Sequence, residues 1–333
     1  MELVSTLAFC IAASFLFTAV AKRLRISVVV GLITVGIFLG SSSVKETILE
    51  PNTGSIMYLG DIGLIFLMFL AGLEVSWSML YRERKDAAIV ALFASVTPFL
   101  LGFLIFLELG FEPLVALTIG ICMSVTAEAT KARELLELGK LKTKLGSLML
   151  GAGIIDDIIA MTLFVIVAYW FEGTFLMREY ILLLSAIIAF FVGVFVHSYI
   201  GRKEYIIPHL EQLLMIFIIP FFFITIGIHF NLTLLTLSPI LLVLIIGIAL
   251  LGKIAGVLLT KPFTKLRLKQ LYLIGWGMNS RGAVELAIVF VAFDLGILNT
   301  EIFSALVFMA LVTTLVFPFI IRNMIKRNPR IMG

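Results

Sequence analysis

Long apolar runs alternate with short polar or charged connections along the whole chain, at about 3–21, 26–41, 56–80, 86–109, 112–137, 144–171, 180–200, 208–230, 238–260, 268–295 and 301–323. A helix needs roughly 20 apolar residues to cross the hydrocarbon core of a bilayer, so the pattern predicts an all-α polytopic membrane protein of about 11 transmembrane helices. Lys and Arg gather in every second connection and in the C-terminal tail: Lys22, Arg23 and Arg25; Arg82, Arg84 and Lys85; Lys131 to Lys144; Arg202 and Lys203; Lys261 to Lys269; Arg322 to Arg330. The alternate connections hold only Lys45 and Arg178. Positive charge is retained on the cytoplasmic side, which predicts an external N-terminus and a cytoplasmic C-terminus in the inner membrane of a prokaryote.

The 333 residues are 61% hydrophobic and 14% charged, with mean hydropathy +1.17, far from a soluble domain. The net charge of +4 is spread through short loops, which argues against a nucleic-acid partner. Cys10 and Cys122 lie in separate apolar runs and build no disulfide or metal framework. The first run lacks a basic leader and a small-residue cleavage site, so it reads as a retained helix. Nothing calls for a cofactor or resembles a nucleophile–base pair, which speaks against an enzyme. No nucleotide-binding glycine motif follows the last helix, so no C-terminal cytoplasmic regulatory domain is expected.

Ionisable residues inside the runs point to chemistry. Asp156 and Asp157 are adjacent within a spanning helix, where each carboxylate costs roughly 2.5–3.5 kcal/mol to insert. Two together imply a polar interior used as an ion or proton path. Adjacent helical residues point about 100° apart, so one aspartate can face a cationic partner while the other faces a cavity. Lys253 and Arg281 also lie within spans and need internal partners; Glu128 and Glu285 are available, with Asp61 and Glu74 nearer the ends of the third span, where solvated heads are expected. Arg281 and Glu285 are four apart and can pair on one helix. Glu128 is expected to neutralise Arg281 or to titrate as a third carboxylate.

An internal repeat organises these groups. Phe69-Leu-Ala-Gly-Leu-Glu-Val75 and Ile224-Thr-Ile-Gly-Ile-His-Phe230 each precede one long helix, one helix interrupted by small and polar residues, and one more helix. The charge-derived orientation makes the two sets antiparallel, as in inverted-topology repeats whose broken helices meet near the midplane. The interruptions fall at Cys122–Lys131, containing Ser124, Thr126 and Glu128, and at Gly275–Glu285, containing Ser280. Freed carbonyls and these hydroxyls are candidate cation ligands.

Six segments in this order resemble the cation:proton antiporters: Phe69–Glu74, Thr126–Gly139, Gly153–Asp157, Phe221–Gly227, Gly252–Gly256 and Arg281–Ile288. The likeness is to the electrogenic branch with the NapA and NhaA sodium/proton exchangers and relatives of the Kef potassium systems. It implies an NhaA-like fold with two crossing broken helices, an ion-binding core at 86–171 and 238–323, and a scaffold and dimer side at 1–80 and 180–230. It further implies that Asp157 binds Na⁺ or Li⁺ in exchange for H⁺, that Asp156 pairs with Lys253, that exchange is electrogenic, and that the core moves like an elevator. Homodimers and contact with lipid come with the same resemblance. The alternatives are K⁺ or another solute on the same fold, or a non-transporting sensor or assembly protein. The resemblance implies about thirteen helices, so this chain is expected to lack the two that normally lie between helix seven and Pro208-His-Leu-Glu211.

Overall fold

The computed structural model describes residues 2–24, 26–41, 44–73, 84–141, 143–170, 177–200, 206–233 and 239–332. Among them are fourteen α-helices and no strand. Seven helices are long and apolar enough to cross a membrane, and His209–Phe217 with Ile219–His229, bent by 42°, make one further candidate span. Glu74 lies outside the described residues. The chain packs as two compact units, Met1–Val75 with Phe175–Leu232, and Ser76–Thr174 with Thr233–Gly333.

In the first unit, α1 (Leu3–Leu24), α2 (Val28–Leu39), α3 (Thr53–Leu73), α8 (Met177–Ile200), α9 (Ile206–Phe217) and α10 (Ile219–His229) enclose a core including Cys10, Val35, Leu39, Ile56, Phe221 and Ile224. Small residues let backbones approach where hydrophobic burial gives little drive. A Cβ built on Gly72 of α3 would lie 2.0 Å from the Phe190 carbonyl oxygen of α8. Gly72→Ala is therefore expected to separate these helices and cost about 1–3 kcal/mol, read as a lowered Tm in detergent. Asp61, expected near a solvated end, is buried in the middle of α3; the preceding turns Lys45–Leu49 and Glu50–Asn52 extend the helical path beyond its start.

The second unit holds two sets of the same form. The first is α4 (Arg84–Glu108), the broken pair α5 (Pro113–Ser124) and α6 (Glu128–Glu137), and α7 (Lys144–Trp170). The second is α11 (Pro239–Leu259), the broken pair α12 (Leu268–Gly277) and α13 (Ala283–Asp294), and α14 (Thr300–Arg327). Pro113 opens α5 at the first turn, where a missing N–H costs nothing. Asn299 caps α14 by accepting from the Ile302 amide at 2.9 Å. Both breaks are extended: Val125 and Ala127 have β-region dihedrals, and Gly282 has φ −175° and ψ −145°. They cross and bond reciprocally, the Ala127 amide to the Ser280 carbonyl at 2.7 Å and the Ser280 hydroxyl to the Ala127 carbonyl at 2.9 Å. A Cβ on Gly282 would come 2.6 Å from the Ala127 Cβ, so the crossing has room only for glycine there.

Candidate ion-binding site

Breaking a helix frees carbonyls that must find donors at this depth. Arg281, fully buried, meets that need at the end of α5. Its guanidinium donates to the Cys122 carbonyl at 3.0 Å, the Met123 carbonyl at 2.6 Å and the Val125 carbonyl at 2.5 Å. A cation at a helix C-terminus also complements the helix dipole. Its backbone carbonyl accepts from Thr314 at 2.9 Å. Arg281 Nε lies 3.8 Å from Glu285 Oε2, and both side chains are buried. The Arg281–Glu285 pair is thus looser than the bonds from the same guanidinium to α5.

Beside the crossing, Lys253 of α11 places Nζ 2.6 Å from Asp156 Oδ2 and 2.7 Å from the Thr126 hydroxyl. Thr126 also faces Asp156 Oδ2, and Ser95 of α4 donates to Asp156 Oδ1. The single Thr126 proton serves either that carboxylate or the Met278 carbonyl 3.1 Å away. Asp156 and Lys253 are both inaccessible to solvent. Four elements thereby converge on one carboxylate: α4, the first break, α7 and α11. Asp157 follows on α7, almost fully buried, its direction turned about 100° from that of Asp156. Ser124 bonds back to the Ile121 carbonyl at 2.8 Å, and Ser280 serves the crossing, so Thr126 is the break hydroxyl that reaches the aspartate.

Two expectations from the sequence are corrected. Glu128 does not pair with Arg281: its Oε1 lies 2.6 Å from Lys131 Nζ on the same half-helix. The guanidinium is already committed to α5 carbonyls and Glu285. Lys131, grouped by its neighbours with the loop charges, is fully buried and also reaches the Met149 carbonyl at 3.0 Å. Ser95 was not singled out, although its position four after Ala91 places it on the small-residue arc that α4 buries with Ala87, Ala91 and Ala94. A similar sign marked Lys131, which is three after Glu128 and four before buried Leu135.

The buried charges of this unit, among the described residues, are Glu128, Glu134, Asp156, Asp157 and Glu285 against Lys131, Lys253 and Arg281. Glu134 is held by Arg322 at 2.5 and 3.0 Å. Arg322 also holds Glu137 at 2.6 Å; outside that network, among the described residues, four buried acids, Glu128, Asp156, Asp157 and Glu285, face three buried bases.

Comparison with known proteins gives these groups a context. The family description "Sodium/hydrogen exchanger, transmembrane" matches residues 11–201 and 172–327. A Na(+)/H(+) antiporter of Enterococcus hirae is 25% identical over 383 aligned positions, spanning 98% of this chain and 99% of that protein. The Na(+)/H(+) antiporter NhaS4 of Synechocystis sp. is 29% identical, over 86% of this chain and 88% of its own length. GerN of Bacillus cereus, named a Na(+)/H(+)-K(+) antiporter, is 26% identical over 93% and 94%. Among solved structures, the sodium proton antiporter MjNhaP1 from Methanocaldococcus jannaschii superposes with a TM-score of 0.69 at 16% identity, covering all of both chains.

Proposed function

Since this chain belongs to the sodium/hydrogen exchanger family of transmembrane proteins, whose activity is monovalent cation/proton exchange, we propose that it is an electrogenic Na⁺(Li⁺)/H⁺ antiporter whose ion site is Asp157 beside the Asp156–Lys253 pair. The observation that carries this reading is the charge count. Outside the Glu134–Arg322–Glu137 network the buried acids of this unit outnumber its buried bases by one among the described residues, which favours uptake of one proton or one monovalent cation. Hard cations such as Na⁺ and Li⁺ prefer carboxylate, hydroxyl and carbonyl oxygen, of which Asp157 and Thr126 supply the first two. Occupancy by one ion displaces the other, and alternating exposure of the site then gives antiport without covalent chemistry. Asp156 and Lys253 form a coupled pair that can take part in a second proton step, which makes exchange of two protons for one cation electrogenic.

The unit spanning 76–174 and 233–333 carries every residue of this site, which suits a core moving as a body. The 383 aligned positions of the Enterococcus relative exceed the 333 residues here, so at least 50 have no counterpart. The two family matches overlap over 172–201, around α8. Both support a scaffold shortened by two helices near that element. The alternation of basic connections supports an external N-terminus in a prokaryotic inner membrane, and GerN's name keeps K⁺ as the second cation to test.

In proteoliposomes, Na⁺ or Li⁺ added outside is expected to dissipate an imposed pH gradient. In the acidic range the KM for Na⁺ should rise up to tenfold per unit fall in pH while the maximal rate holds, as competition for one site requires. An imposed membrane potential should change the rate. A maximal rate that falls at constant KM would refute a shared site, and indifference to potential would make exchange electroneutral.

A further inference from the structure

We propose that the buried Glu128–Lys131 ion pair is a second charged element of the transport site, whose two charges set how strongly the aspartate centre holds its cation. This rests on the reading of Asp156–Asp157 as that centre. Glu128 opens α6 and Lys131 lies one turn on; both are buried. A Cβ on Gly153 of α7 would fall 1.3 Å from Glu128 Oε1 and 2.6 Å from Lys131 Nζ. The pair therefore lies against bare α7 backbone at Gly153, three and four residues before the aspartates and on the same helical face. Its carboxylate is incompletely satisfied, because Oε2 has no hydrogen-bond partner among the described residues.

Stability gives little reason for such a pair, since well-packed apolar residues usually serve a buried site as well or better. A tether is the rival role, because Lys131 also binds the Met149 carbonyl of α7. The two roles differ in sign. Removing the Glu128 charge makes the surroundings of the aspartates more positive and removing the Lys131 charge makes them more negative, whereas loss of a tether affects function in one direction from either side. The other charges acting on the Glu128 carboxylate are Asp156 on α7 and Lys253 on α11. The variants below leave both in place.

E128Q, K131M and the double variant E128Q/K131M are compared in proteoliposomes at alkaline pH, where protons compete least. With a charge on the order of 10 Å away in an effective dielectric constant of about 20, each single change should alter the KM for Na⁺ roughly tenfold. KM rises in E128Q and falls in K131M, and the double variant returns to within about twofold of the parent. Shifts in the same direction, or no shift, overturn the proposal. If one single variant fails to fold, the other is read against the double variant instead: KM in E128Q should lie above, or KM in K131M below, that of E128Q/K131M, and equal values overturn the proposal. Asp157→Asn separates the two levels. Lost exchange there, with unmoved KM values in the pair variants, sinks only the role of the pair, whereas retained exchange sinks the assignment of the centre.

Discussion

Asp157→Asn is expected to reduce cation-dependent proton exchange by more than 100-fold while leaving the protein folded. The amide keeps the shape and can accept hydrogen bonds, but it binds no proton in the accessible pH range and offers a cation a weaker, uncharged ligand. The charge balance predicts that stability survives. With four buried acids against three buried bases outside the Glu134–Arg322–Glu137 network, among the described residues, neutralising one acid evens the count rather than widening the difference. Asp156→Asn should differ in kind, because it leaves Lys253 buried after losing the carboxylate 2.6 Å away. Breaking one side of such a pair costs about 3–5 kcal/mol. Flux in proteoliposomes and Tm in detergent, measured on both variants, separate the roles: activity lost at near-parental Tm for Asp157→Asn, and a clearly lowered Tm for Asp156→Asn. Parental flux from Asp157→Asn would remove this residue from the site.

The contrast between the two aspartates also shows what was legible in the sequence. The breaks at Val125–Ala127 and Met278–Gly282 could be read because small and polar residues interrupt runs that are otherwise continuous. The pairing of Asp156 and Lys253 was suggested by resemblance and by the cost of leaving either charge in lipid. Partners that depend on how two breaks cross were not legible. Glu128 and Arg281 are of opposite sign and lie in matching breaks, yet the crossing turns the guanidinium towards α5 carbonyls, leaving Glu128 to Lys131. Local composition placed Lys131 with Arg133 and Lys140 in a basic connection. Its burial follows from the helical arc it shares with Glu128 and Leu135, a periodicity that the surrounding charges conceal. Thr126, Ser124 and Ser280 had equal standing as hydroxyl ligands. Separating them needs backbone direction through each break, which a residue type does not encode.

Arg281→Met is expected to prevent accumulation of folded protein or to lower Tm drastically, the largest stability effect of any single substitution in the site. The side-chain volume is roughly kept, so the loss isolates hydrogen bonding and charge. Three carbonyls at the end of α5, those of Cys122, Met123 and Val125, lose their guanidinium donor, each at about 1–3 kcal/mol when no water replaces it. Glu285 remains buried without the cation 3.8 Å away, adding a further few kcal/mol unless it takes up a proton. Arg281→Lys should recover only part of this, because one ammonium cannot reproduce a planar fork spread over three carbonyls. The companion change Glu285→Gln in the Met background should restore stability partially by removing the uncompensated carboxylate, yet the α5 carbonyls stay unsatisfied and the crossing stays loose. Size-exclusion profiles and Tm in detergent read this order, with parent above Arg281→Lys, then the double variant, then Arg281→Met. If Arg281→Met folded at parental stability, the guanidinium would not be the clamp that joins the second break to the first half-helix.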